Sequence, residues 1–337
     1  MMRGRGDQYS AAQVKEGLRR PIYSPFGESR STMNTVWQEQ LDKGAATNPR
    51  ADYLISPEVL ASRLEADGLK VLDATTHLRP TEDGGFASEP GFDDFLSEHI
   101  PGAQFADLQG ALSDAESSFR FTVPSAGQFA RSVGALGIAA TDEVVIYSST
   151  HPMWATRMWW LFRLFGHQTV KLLDGGLSAW KAAGLAVEAG ETRKAAAEYG
   201  QPVRQDDRFV DGEAILARQA SGGLCLINAL SEQQYRGEGP HYGRPGHITG
   251  SESLPWGSFL NEDLSFKSSD ELKAHFDAVG AFDQNEIITY CGGGIAATVP
   301  IFSLALLGIE EGVALYDRSL SEWAQQRDWP MTQLASG

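Results

Sequence analysis

Cysteine is scarce in this chain. Its 337 residues include two, Cys225 and Cys291, which stand 66 positions apart. Two thiols make neither a disulfide framework nor a structural metal site, and no CxxC or HExxH segment is present. Long apolar runs are missing as well. The longest nearly apolar stretch, residues 301–309, is too short to span a bilayer, so no membrane partner is expected. Positive charge is in short supply: 28 Lys and Arg against 44 Asp and Glu give a formal charge of −16. That balance argues against nucleic acid as a partner, because phosphate binding needs a cationic face. Residues 1–50 hold 8 of the cations against 5 acids, a net +3, so the remainder carries −19. They lack the apolar core of a secretory signal and are expected to form a flexible extension, with a docking arm or a cleaved targeting segment as alternatives. No metal or organic cofactor is implied, and free thiols suit a reducing, cytoplasmic setting.

What the chain does have is a repeat. His99-Ile-Pro-Gly-Ala returns as His247-Ile-Thr-Gly-Ser after 148 positions. The strand-like VVIYS ending at Ser148 returns as IITYC ending at Cys291, a shift of 143. Asp174 in LLDGGLSAW matches Asp317 in LYDRSLSEW at the same shift of 143, and VLDATT around Asp73 pairs loosely with LINALS around Asn228. Landmarks in one order at nearly one offset mark a duplication. Each copy alternates short β-branched runs with helical stretches, such as SAGQFARSVGALG with Ser125 placed to cap its start. This predicts an α/β fold, each copy a mainly parallel sheet flanked by helices, with ligands at the carboxyl ends of the strands. The expected organisation is an extension over 1–50, a first copy over 51–190, a linker over 191–208 and a second copy over 209–335.

The segment IITYCGGGIAAT, residues 287–298, is where chemistry is most legible. A strand ending at Tyr290 delivers Cys291 to the edge of the sheet. Gly292, Gly293 and Gly294 tolerate positive φ and keep side chains away, so backbone N–H groups from Gly292 through Ile295 and Ala296 can converge. A helix expected from about Ile295 adds the positive end of its dipole. A sulfur there is expected to be held as the thiolate and to act as a nucleophile, with the amides free to cradle a second sulfur or an oxyanion. Cys225, inside LCLINAL, reads as a core side chain.

The paired HIPGA and HITGS segments, LLDGGLSAW, YDRSLSEW and the single cysteine loop together resemble the rhodanese superfamily, and within it the two-domain thiosulfate and 3-mercaptopyruvate sulfurtransferases. The resemblance covers about residues 51–330. It implies a first domain that has lost its nucleophile, with Ser148 in its place, and a second in which Cys291 accepts a sulfane sulfur as a persulfide. The partners implied are a small sulfur donor and a thiol or cyanide-like acceptor. The uncharged loop is similar to the mercaptopyruvate branch but lacks that branch's serine at position 293. An arginine that binds the donor's anionic group in the family is replaced by Leu230, and a second one falls on Gln234. Arg236 and Arg244 are expected as substitutes, while the resemblance places His77 in the cleft and Arg157 at the interface between the copies. A phosphatase of the same fold needs an arginine six positions after the cysteine, and Ala297 stands there. A non-catalytic binding or sulfur-relay module is the remaining alternative.

Overall fold

The structure, a computed structural model, describes residues 34–82 and 84–334. The first half contributes β1 (Leu54–Ile55), β2 (Leu69–Asp73), a hairpin of β3 (Thr76–Pro80) and β4 (Phe86–Pro90), β5 (Gln104–Phe105), β6 (Glu143–Tyr147) and β7 (Val170–Leu173). The second contributes β8 (Phe209–Val210), β9 (Leu224–Asn228), β10 (His247–Ile248), β11 (Glu252–Ser253), β12 (Glu286–Tyr290), β13 (Val313–Tyr316) and β14 (Met331–Thr332). One sheet runs β1-β7-β6-β2-β5 and the other β8-β13-β12-β9-β11, the same order twice, with every neighbouring pair parallel. In the central strands β6 and β12 four of the five residues are buried, as expected where helices cover both faces of a sheet. Residues 189–205, between the two sheets, contain neither helix nor strand.

The duplication extends to side chains. Asp73 accepts from the N–H of Thr75 at 2.8 Å, and Asn228 from that of Leu230 at 2.8 Å. The Tyr147 hydroxyl accepts from Ile100 N–H and that of Tyr290 from Ile248 N–H. His99 and His247 each stack on an aromatic ring, Phe95 and Tyr235, and each bonds the carbonyl of that same residue, so both pin loops rather than face a ligand. Ser125 caps the helix Ala126–Ala135 through the N–H of Gln128.

The halves meet along two helices that are buried almost all round, Pro152–Leu164 and Thr298–Leu306. Helices buried on nearly every side belong in an interior, and these two cover each other, with Arg157 and Arg163 of the first paired to acids. Thr156 and Thr298 share a buried hydroxyl contact of 2.7 Å, and Trp159 meets Phe302 edge to face at 4.9 Å. Asp174 accepts from Phe266 N–H in the other half at 2.9 Å, and Asp317 from Val123 N–H at 3.0 Å. This exchange relates the halves by an approximate twofold.

Residues 1–33 of the expected extension lie outside the described residues. From Thr35 to Thr47 the chain is helical and docked, which corrects the expectation of a flexible extension over that part. Trp37 is fully buried, its indole N–H donates to Gln284 O at 2.6 Å, and Gln40 Oε1 receives the N–H groups of Glu310 and Glu311. Gly44 lies so close to Leu307 that a methyl group there would stand 2.2 Å from its carbonyl oxygen. The arm therefore packs on the second half, although it precedes the first in sequence. Among the described residues no helix is long and apolar enough to cross a membrane.

Candidate active site

Strand β12 is central in its sheet and ends at Tyr290, so Cys291 opens the loop at its carboxyl end. The following helix starts at Thr298, three residues later than its sequence suggests, because residues 295–297 form a tighter turn in which Thr298 N–H bonds Ile295 O and Val299 N–H bonds Ala296 O. The dipole's positive end is correspondingly further from the sulfur.

The loop's carbonyls are taken by its neighbours. Cys291 O accepts from Leu320 N–H at 3.1 Å, and Gly292 O accepts both the N–H and the hydroxyl of Ser321 at 2.8 Å. Gly294 O accepts from Arg157 at 3.2 Å. Carbonyl and N–H point in opposite directions across a trans peptide, so the N–H groups of Gly292 and Gly293 face away from residues 320 and 321. Among the described residues, no backbone hydrogen bond engages the N–H groups of Gly292, Gly293, Gly294 or Ile295. The cysteine itself is anchored through its N–H, which donates to Ser319 Oγ at 3.0 Å, and Ser319 holds a left-handed φ of 50° to present that oxygen. The result is a row of unengaged donors next to a thiol, an arrangement that stabilises negative charge on sulfur or oxygen.

The three glycines serve different ends. Only Gly294 has positive φ, +75°, and an added Cβ would lie 2.3 Å from Asp317 O. Gly292 is overlain by the ring of Tyr242, whose Cζ would be 1.8 Å from such a carbon. At Gly293 the nearest atoms, Ser321 Oγ at 3.6 Å and Arg120 O at 3.9 Å, leave ordinary room. From Cys291 to Ala297 every residue is buried except Gly293, and Cys291 is 2% exposed.

Of the expected substrate contacts, Arg157 alone reaches the loop. It arrives from the first half, 1% exposed, with its guanidinium 2.7 Å from Asp317 and bonded to the carbonyls of Gly294 and Phe121. It supports the loop from beneath. Arg244 corrects the expectation of a donor contact: it donates to the carbonyls of Trp323, Ala324, Gln326 and Trp329 and clamps the C-terminal segment. Arg236 faces Glu232 on its own helix at 3.4 Å. His77, on β3, lies 2.8 Å from Asp94 of its own half. Leu230 is buried, and Gln234 bonds Pro240 O. Cys225 lies in the β9–β12 ladder, where burial first, then the charges of Glu252 and Asp283, push its thiol up to about 12. Sequence reasoning missed Tyr242, Ser319 and Ser321. The serines sit in the repeated SLSEW segment, but nothing local ties them to a loop some 28 positions upstream.

Fold and loop define a tandem α/β protein in which one half keeps a cysteine among backbone donors and the other has serine there. A family model described as rhodanese-like domain matches residues 56–183 and again 213–326. A probable 3-mercaptopyruvate sulfurtransferase of Pseudomonas aeruginosa is 34% identical over 277 residues, covering 80% of this chain and 94% of that one. The thiosulfate sulfurtransferase of Bos taurus is 31% identical over 294 residues, covering 84% and 95%. The crystal structure of SseA from Escherichia coli, a 3-mercaptopyruvate enzyme, superposes with a TM-score of 0.71 at 29% identity, over 80% of this chain and 99% of that one. The chain belongs to the rhodanese family, with its domain in two copies, and sulfur transfer is its activity.

Proposed function

We propose that residues 209–335 form the catalytic domain and residues 51–190 a non-catalytic partner, and that sulfur passes through a persulfide on Cys291. In the first step the Cys291 thiolate attacks the donor's terminal sulfur. The donor's bond to that sulfur breaks, and its electron pair leaves on sulfite or on the enolate of pyruvate. In the second step a thiol or cyanide-like acceptor attacks the outer sulfur, and the electron pair of the S–S bond returns to Cys291. The observation that carries this reading is the set of unengaged N–H groups from Gly292 to Ile295, fixed by carbonyls that are bonded elsewhere. They suit the negative charge that develops on the outer sulfur.

A mercaptopyruvate-like donor fits better than a thiosulfate-like one. The loop has no charge, and Arg157, Arg236 and Arg244 each have another partner, so a doubly charged donor finds little compensation. Two free thiols favour the cytoplasm as the working compartment. Leu230 in place of an arginine favours the second reading, a binding or sulfur-relay module. Thiocyanate formation from cyanide with each donor separates them. The first reading predicts turnover that Cys291→Ser abolishes and Cys225→Ser leaves intact. Turnover that survives Cys291→Ser, or is absent with both donors, contradicts it.

A further inference from the structure

Cys291 is 2% exposed, so the way to its thiol is narrow. An aromatic ring closes one side of it. The ring of Tyr242 rests on Gly292, so close that no residue with a Cβ fits beneath it without displacing the ring. The same ring stacks on Phe86 of the first half, with centroids 5.0 Å apart and planes 19° from parallel. Phe86 opens β4, and its carbonyl is held by Arg120 at 2.7 Å. The Tyr242 segment is tied across the cleft by His241 N–H to Gly84 O at 3.1 Å. It is also flanked by Gly239, Gly243 and Gly246, all with positive φ, residues that tolerate a change of backbone conformation. Burial first, then the neighbouring Cys291 sulfur, raise the Tyr242 phenol well above its ordinary range, so the hydroxyl stays protonated.

We propose that Tyr242 is a specificity-determining residue of the sulfur-transfer reaction, an aromatic gate between the halves that closes the loop over Gly292 and leaves access only along Gly293. The inference rests on the persulfide reading for its choice of donors. Sulfur on a slim carrier passes beside the ring at Gly293, whereas a bulky carrier such as glutathione persulfide, whose glutathione thiolate leaves as Cys291 takes the outer sulfur, requires the Tyr242–Phe86 stack to open.

Three measurements test the gate, the first of them independent of the chemistry. The first is alkylation of Cys291 by iodoacetamide, followed by peptide mass in the full chain, which requires no sulfur transfer. Tyr242→Ala is expected to raise the rate at least about tenfold, while Tyr242→Phe, which keeps the stack, stays within about twofold of the wild type. The second is the ratio of kcat/KM for glutathione persulfide to that for 3-mercaptopyruvate, expected to rise at least about tenfold in Tyr242→Ala and to hold in Tyr242→Phe. Gly292→Ala, which drives a methyl into the ring, should slow turnover, and adding Tyr242→Ala to it should restore much of the loss; such rescue would not follow from general destabilisation. An unchanged alkylation rate and donor ratio in a folded Tyr242→Ala protein would overturn the gate. A wild type that accepts sulfur from neither donor would count against the persulfide reading, and the alkylation rates alone would then decide for or against the gate.

Discussion

At Gly294 an added methyl group meets the Asp317 carbonyl oxygen at 2.3 Å, and the left-handed φ of +75° disfavours any L side chain. Its neighbour Gly293 has neither constraint. The two positions therefore separate geometry from composition. Gly294→Ala should cost about 1–3 kcal/mol of stability for the backbone alone. Misplacing the loop by as much as 1 Å should also slow sulfur transfer by on the order of a hundredfold. Gly293→Ala should leave stability within about 0.5 kcal/mol of the wild type. Urea denaturation and single-turnover sulfuration check both, and equal effects at the two positions would show that the loop is not held as described. The sequence makes Cys291 and its glycines conspicuous, but assigning each glycine a cause needs Tyr242 and Asp317 in space.

The helix Thr35–Thr47 shows at the scale of elements what a sequence can and cannot carry. The three inner strands of each sheet are legible because their apolar runs are local and the repeat supplies two readings of each, whereas the two-residue edge strands β1, β5, β8 and β11 are too short to show a pattern. The arm has one buried aromatic, Trp37, and the surface that receives it comes from Phe282, Gln284, Leu307 and Gly312, more than 240 positions away. No local pattern encodes such a contact, so composition alone suggests a flexible segment. Likewise the hairpin β3–β4 has no counterpart in the second copy, and the repeat is silent about its role in holding Phe86 against Tyr242. Truncating Trp37 to alanine should destabilise the protein by about 3–5 kcal/mol. A loss below about 1 kcal/mol in urea titration would mean that the arm contributes little to the fold.

For the molecule as a whole, two copies of one fold have diverged in their loops while keeping the contacts that join them. The first copy has Ser148 just after its central strand, yet it still provides Arg157, whose buried pairing with Asp317 at 2.7 Å supports the other copy's cysteine loop. Removing one member of such a pair leaves an uncompensated charge in the interior, which ties the first half to the cysteine loop of the second. The buried Thr156–Thr298 contact and the reciprocal reach of Asp174 and Asp317 keep the halves in register around the loop. The direct test is the mass of the intact protein after exposure to 3-mercaptopyruvate or thiosulfate. The account predicts a gain of one sulfur atom, located on Cys291, removed by cyanide and absent from Cys291→Ser. A protein that gains no sulfur from either donor, or gains it on Cys225, contradicts it.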